Sequence, residues 1–225
     1  MNRSTIFHAS TTNSVNLLPA RIQTDGRASF IAVEGVDGSG KTSTAILLAG
    51  RLQGIYLKTP PKEYSTLRHH FDSAAQSSRR ELILARFFFY LSSLCETADA
   101  VVSYIKKGTT VVVDRWVLST LLYHEQLLGL DLSPYIKPLA LPQPDACFVL
   151  QPSLRVIYSR LEQRSPDYDH ALEKDLKFIS RMYRRYASDR SSIHIQPGKA
   201  PVDEVVDRII NAYHPLSSAK EVCHA

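Results

Sequence analysis

The chain has 225 residues, of which 44% are hydrophobic and 22% charged, and this length suits one α/β domain rather than two. No apolar run approaches the roughly 20 residues of a membrane-spanning helix, so the sequence predicts no membrane span. The formal net charge is +5, but the basic residues are spread along the chain, which argues against nucleic-acid binding as the main role.

The N-terminal segment 1–28 is rich in Ser, Thr and Asn and has no acidic residue before Asp25. We predict that this segment is a flexible leader. The three cysteines form no Cys-x-x-Cys pair and fit a reducing compartment, so we expect a cytoplasmic protein. Because a mitochondrial transit peptide has a composition similar to that of the leader, a mitochondrial location is the alternative.

After the leader, short apolar runs alternate with helical patterns. Strands are predicted at 30–34, 55–58, 110–113, 145–150 and 191–196. Helices are predicted at 41–52, about 81–107, and 202 to about 212. Strands separated by helices predict a parallel sheet of about five strands with helices on both faces.

A phosphate-binding loop is predicted between the first strand and the first helix, because residues 35–42 match G-x-x-x-x-G-K-[ST] in that setting. The N–H groups of such a loop point at phosphate oxygens, and the helix N-terminus adds favourable dipole potential. Lys41 is expected to bridge the β- and γ-phosphates, and the Thr42 hydroxyl to ligate Mg²⁺. ATP and Mg²⁺ are the expected cofactors, with ATP held by Gly35, Val36, Asp37, Gly38, Ser39, Gly40, Lys41, Thr42 and Ser43.

The segment 30–44 resembles the thymidylate kinase family of P-loop nucleoside monophosphate kinases. Further similarities follow in order: 111–116 to its D-R-[YFHW] element, 119–123 to the segment after it, and Pro144-Asp145 to its P-D-L segment. Residues 57–61 look closest to the mitochondrial UMP-CMP kinase 2 subgroup. The resemblance covers about 30–215 and implies one P-loop domain at 29–225, with a three-layer α/β P-loop NTPase fold and a lid.

Three charged residues near the loop have expected roles in phosphate chemistry. Asp114 ends a buried strand and is expected to hold Mg²⁺ through water, with a strand-end cap as the alternative. Arg115 can bind the acceptor phosphate in a bidentate pair, although a surface pair with Asp114 would also account for it. The resemblance implies that Asp37 contacts the acceptor sugar or the catalytic machinery, and an Asx turn is the alternative.

Phosphoryl transfer requires cations around the migrating group. Some members of the family carry a catalytic Arg directly after the position that matches Asp37, where this chain has Gly38. The arginine is therefore expected from the lid, which the resemblance implies at 154–165. Arg160 and Arg164 lie four residues apart on one helix face and are the candidates, with a solvated helix face as the alternative for each.

For the acceptor phosphate, Lys62 falls near the position where the family has a basic residue, and Lys58 is a competitor. For the base, counting back from Asp114 puts Tyr90 at the family's stacking aromatic, with core packing as the alternative. The same count puts Leu94 where the family has a base-binding Arg. The acceptor site is expected to consist of Lys62, Arg86, Tyr90, Arg115, Ser119 and Tyr123.

These patterns predict ATP-dependent phosphorylation of a pyrimidine nucleoside monophosphate: dTMP, dUMP, UMP or dCMP. Catalysis is expected from Asp37, Lys41, Arg115, Arg160 and Arg164. A (deoxy)nucleoside kinase and a non-catalytic P-loop regulator are the alternatives. The expected partner is a small nucleotide, and the resemblance makes a homodimer through the long helix plausible.

Overall fold

The structure of the protein is a computed structural model that describes residues 28–75, 79–163, 172 and 175–222. Its strands are β1 Phe30–Glu34, β2 Ile55–Lys58, β3 Val111–Asp114, β4 Ala146–Leu150 and β5 Ile193–Ile195. Its helices are α1 Lys41–Arg51, α2 Ser65–Ala75, α3 Arg80–Lys106, α4 Val117–Leu128, α5 Ser133–Ile136, α6 Leu154–Glu162, α7 Leu176–Ser188 and α8 Val202–Val222. Short 3₁₀ turns occur at Lys62–Tyr64 and Lys137–Leu139.

The five strands form one parallel sheet in the order β2-β3-β1-β4-β5. β1 lies between β3 and β4 and is buried along its whole length, which explains why it reads as an apolar run without alternation. The chain passes from β1 to the edge strand β2, returns to β3 beside β1, and then crosses to β4 on the other side of β1, so a crevice forms at the carboxyl ends of β1 and β3. Asp114 lies beside Val33 in the register at that edge.

Helices cover both faces of the sheet, as the sequence predicts. On one face, Leu48 of α1 and Ile209 of α8 pack with β-strand residues such as Ile31. On the other face, Leu94 and Val101 of α3 pack with the strand residues that point to that side. A third cluster joins α4, α6 and α7 at the carboxyl ends of the strands, so the crevice there has rigid walls.

The sequence also made predictions about membrane spans and about the N-terminal leader. None of the helices in the described residues is both long and apolar enough to span a membrane. The predicted leader lies outside the described residues except for Ala28, so its role stays a prediction.

Candidate active site

The predicted phosphate-binding loop connects β1 to α1. Gly35 has a φ of 137°, and a Cβ atom there would lie 2.7 Å from the carbonyl oxygen of Leu150, so only glycine fits. Gly40 is the N-cap of α1, whose first turn carries no acidic residue. The loop therefore presents backbone N–H groups and a positive helix end to the crevice.

The Lys41 side chain lies inside this loop and is 5% exposed. Its Nζ donates a hydrogen bond of 2.7 Å to the carbonyl oxygen of Val36 and lies 3.8 Å from Oδ1 of Asp37. The ammonium group is thus held over the concave side of the loop, where a phosphate would bind.

Thr42 and Asp114 meet at the floor of the crevice, as expected for a metal pair. The Thr42 hydroxyl donates to Oδ2 of Asp114 at 2.6 Å, and the Tyr56 hydroxyl lies 3.4 Å from the same oxygen. Oδ1 of Asp114 is buried and has no hydrogen-bond partner in the described part of the chain. A carboxylate and a hydroxyl oxygen are hard ligands that fit Mg²⁺, which keeps most of its shell as water and substrate oxygens.

Arg115 follows Asp114 and turns back toward the loop. Its φ is 72°, and its N–H donates to the carbonyl oxygen of Val33 at 3.0 Å, which directs the side chain across the crevice. The guanidinium forms an ion pair with Asp37 and donates to Oγ of Ser119 at 3.2 Å. The Tyr123 hydroxyl donates to the other Asp37 oxygen at 2.9 Å.

The Asp37 carboxylate remains ionised in this setting. Burial acts to raise its pKa, but the positive charges of Arg115 and Lys41 and the bond from Tyr123 outweigh it, so the pKa lies well below its usual range. Four of the predicted site residues, Asp37, Arg115, Ser119 and Tyr123, are therefore one connected network rather than isolated side chains.

Glu34 is a buried carboxylate that the sequence analysis did not assign to the site. It accepts hydrogen bonds from the backbone N–H groups of Trp116 at 2.8 Å and Ser119 at 3.1 Å, and from the Ser119 hydroxyl. Burial outweighs these bonds and raises its pKa. Glu34 therefore fixes the turn that carries Arg115, and an acid at the end of an apolar strand was the available signal.

A deep cleft, here called the inner cleft, opens between α2, α3 and α4 next to this network. It is lined by Asp37, Thr59, Pro60, Arg68, Asp72, Arg86, Tyr90, Arg115, Ser119, Thr120, Tyr123, His124 and Leu172. Leu94 has no exposed surface and packs against the sheet instead. Arg86, Tyr90 and Leu94 are spaced four residues apart on one face of α3, and Arg86 and Tyr90 line the cleft while Leu94, further along the helix, packs in the core. Asp72, Thr120 and His124 are cleft residues that sequence reasoning missed.

A second, polar cleft, here called the loop cleft, adjoins the inner cleft and shares Asp37, Arg68 and Arg115 with it. Lys41, Thr42, Ser43, Lys58 and Asp114 also line it. Lys58 ends β2 beside Asp114, and burial lowers its pKa. Lys62 is exposed in the following 3₁₀ turn and lines neither cleft, so the structure places Lys58 at the site rather than Lys62.

The outer cleft lies on the other side of the loop, between Gly40, Thr44, Arg160, Pro197 and Val202. NH1 of Arg160 donates to the carbonyl oxygen of Gly38 at 3.2 Å. Arg160 therefore lies on the phosphate-binding loop, as the lid prediction requires. Arg164 falls outside the described residues, and its role stays a prediction.

Comparisons with known proteins agree with this geometry. The thymidylate kinase of Wolbachia pipientis subsp. Culex pipiens is 29% identical over 167 residues, which are 67% of this chain and 80% of that protein. That of Thermosipho africanus is 25% identical over 198 residues, covering 80% and 94%.

Two solved structures share the fold. A thymidylate kinase from Candida albicans has a TM-score of 0.65 at 18% identity, covering 84% of this chain and 92% of that one. A deoxyadenosine kinase from M. mycoides with bound dATP has a TM-score of 0.61 at 15% identity, covering 82% and 99%. The family model "Thymidylate kinase" matches residues 33–209, and the chain therefore belongs to the thymidylate kinase family of P-loop nucleoside monophosphate kinases.

Proposed function

We propose that the protein transfers the γ-phosphoryl group of ATP to a pyrimidine nucleoside monophosphate, with dTMP as the principal acceptor. The main observation behind this proposal is that two adjacent clefts share lining residues. Arg115 and Asp37 line both the loop cleft, which suits phosphates, and the inner cleft, which has room for a nucleoside. Curated relatives named thymidylate kinase support dTMP as the first acceptor to test.

The donor is assigned to the loop and the outer cleft. The N–H groups of the loop and Lys41 bind the β- and γ-phosphates, and the outer cleft accepts the rest of ATP. Thr42 and Asp114 hold Mg²⁺, whose charge would neutralise that developing on the phosphate oxygens. The buried Oδ1 of Asp114, which has no partner among the described residues, supports this assignment.

The acceptor phosphate is assigned to Arg115 and Lys58. Both line the loop cleft, and the fork of a guanidinium suits two phosphate oxygens at once. Asp37 holds Arg115 in place, and Tyr123 reaches the same carboxylate from the side of the inner cleft. The acceptor sugar is therefore expected near Asp37 and Tyr123, with the base beyond it against Tyr90 and Arg86.

Neutralisation of the negative charge on the transferred phosphoryl group is assigned to Lys41 and Arg160. Position 38 cannot supply it because it is a glycine, and the backbone of Ile157 lies close to where a Cβ would be, at 3.0 Å. Arg160 reaches the same loop from the α6 side. Positioning and charge neutralisation account for catalysis in this scheme, without a covalent intermediate.

Coupled ADP release tests the proposal, with ATP, Mg²⁺ and a panel of nucleoside monophosphates and nucleosides. Turnover confined to pyrimidine monophosphates and abolished by Arg115→Ala is the expected result. Turnover with nucleosides alone would replace the proposal by a nucleoside kinase. Nucleotide binding without acceptor-dependent turnover would point to a P-loop regulator instead.

Two further expectations belong to this proposal. We propose a homodimer through α3, whose Phe88 is 50% and Val102 36% exposed. Light scattering after gel filtration tests it, and a mass near the 25.3 kDa of one chain would contradict it. A cytoplasmic location remains the proposal for the cell, and no role with nucleic acid is proposed.

A further inference from the structure

The inner cleft ends at a buried arginine that is tied to three neighbours. Arg86 is 5% exposed. Its Nε donates to Oδ1 of Asp72 at 2.6 Å, its NH2 donates to the Tyr90 hydroxyl at 3.2 Å, and its NH1 lies 2.7 Å from Nε2 of His124. The guanidinium is therefore held in one orientation by side chains from α2, α3 and α4.

His124 can only accept a hydrogen bond from Arg86, not donate one. Its Nδ1 lies 2.6 Å from the carbonyl oxygen of Thr120, and because a carbonyl cannot donate, Nδ1 carries the hydrogen. Nε2 is then the unprotonated nitrogen that faces Arg86. Burial and the positive charge of Arg86 hold the pKa of His124 well below its usual value, in agreement with a neutral ring.

Asp72 offsets the charge of Arg86 at this end of the cleft, and it also contacts Arg68, which lines the loop cleft as well. Its carboxylate is 8% exposed and pairs with Arg86 at 2.6 Å and with Arg68 at 3.3 Å. The loop cleft, by contrast, is lined by Lys41, Lys58 and Arg115 and suits a phosphate. An uncharged, polar group is therefore the better match for the end of the inner cleft at Arg86.

The guanidinium still has donors to offer to such a group. Of its five N–H groups, three are used by Asp72, Tyr90 and His124. One N–H on each terminal nitrogen has no partner in the described part of the chain. The arginine lines the cleft, so a ligand there meets hydrogen-bond donors on this side.

We propose that His124 is a positioning residue that sets the base preference of the enzyme through Arg86. By accepting one N–H, it holds the guanidinium in the orientation in which the remaining N–H donors of Arg86 face the base. A pyrimidine with an oxygen at position 4, uracil or thymine, accepts from them. Cytosine has an amino group at position 4, which is itself a donor. It would face the N–H donors of Arg86, and buried donors would be left without acceptors. This inference rests on the proposed function and adds the chemical basis of acceptor choice.

The test compares dUMP with dCMP, which differ at position 4 of the base, in the wild type, His124→Phe and His124→Gln. Phenylalanine keeps the ring and removes the acceptor, while glutamine keeps an acceptor oxygen. In His124→Phe, we expect kcat/KM for dUMP to fall on the order of tenfold through the acceptor KM, and the dUMP preference to shrink. The KM for ATP stays unchanged, and His124→Gln recovers most of the preference.

A His124→Phe variant that keeps the wild-type ratio of dUMP to dCMP, or that loses only kcat or thermal stability, would overturn the inference. If the wild type phosphorylates no pyrimidine monophosphate, the proposed function fails separately. Protection against thermal unfolding by dUMP and dCMP then decides the inference. Stronger protection by dUMP that is lost in His124→Phe supports it, and equal or absent protection contradicts it.

Discussion

The guanidinium of Arg115 is paired with the carboxylate of Asp37, which precedes it by 78 residues in the chain. The ion pair links the turn after β3 to the phosphate-binding loop after β1, because these two strands are neighbours in the sheet. Both side chains are largely buried, at 14% and 15% exposure. The same arginine also lines both clefts, so its orientation couples the donor side of the site to the acceptor side.

Replacing Arg115 by Lys keeps the positive charge beside Asp37 but removes the fork that can bind two phosphate oxygens. We expect the KM for dTMP to rise on the order of tenfold or more, with a smaller effect on the KM for ATP. Steady-state kinetics with each substrate varied in turn measure this. Arg184→Lys on the exposed side of α7 is the matched control and should behave as wild type. Equal effects on the two KM values would argue against a role specific to the acceptor.

Lys58 and Lys62 offer a direct comparison of two lysines near the same turn. Lys58 lines the loop cleft, and Lys62 is exposed outside it. We expect Lys58→Met to raise the KM for dTMP about tenfold and Lys62→Met to change it less than about twofold. The same coupled assay measures both variants. The reverse order of effects would restore Lys62 as the acceptor-phosphate residue.

The buried histidine gives the protein a defined pH dependence of stability. Folded His124 has a pKa well below the unfolded value of about 6.5, so the stability that depends on its neutral form is present above that pH and lost as the pH falls. Between pH 7.5 and 5.5 the stability lost in this way is on the order of 1 kcal/mol. Arg86 and Asp72 are the charged groups beside it.

Urea unfolding of the wild type and His124→Gln at the two pH values checks this. Over the window, the free energy of unfolding of the wild type should fall by on the order of 1 kcal/mol more than that of the variant. Parallel losses in the two proteins would show that His124 titrates normally in the folded state.

Substitution of Gly38 tests the conformation of the phosphate-binding loop, and Gly50 in α1 is the matched control. Gly38 has a φ of 81°, and an added Cβ would lie 3.2 Å from Cγ of Leu161, whereas the space around Gly50 in α1 is open. Gly38→Ala should therefore lower the free energy of unfolding by roughly 1–2 kcal/mol, and Gly50→Ala should raise it by roughly 0.5–1 kcal/mol. Thermal or urea unfolding measures both. An Ala at 38 that leaves stability and ATP binding unchanged would contradict the close contact between the loop and α6.

Local sequence patterns were sufficient to predict the strands of the sheet and the phosphate-binding loop. The strand, glycine-rich loop and helix at 30–51 agree with the sequence to within one residue, because each is specified by neighbouring residues: an apolar run, glycines at positive φ and a helical start. The five parallel strands likewise follow from apolar runs separated by helices. Helix α2 was not predicted, since it is polar and has few apolar positions to mark a period.

Placement of the acceptor site was less accessible from sequence. The count along the chain put Leu94 at the position of the family's base-binding Arg, and it could not show that Leu94 packs against the sheet while Arg86, two turns earlier on α3, lines the cleft. Lys62 was preferred to Lys58 by its position in the sequence, whereas the direction of β2 places Lys58, and not Lys62, in the lining of the loop cleft.

By itself, the sequence determined the family, the phosphate-binding loop and the charged pair Asp114 and Arg115, because these reside in contiguous motifs whose chemistry depends on local spacing. Only the tertiary structure decided the contacts of Arg86 with Asp72 and His124, which lie 14 and 38 residues away. The physical reason is that the protonation state of His124 and the orientation of Arg86 depend on burial and on partners from three helices. No single segment of the chain encodes them.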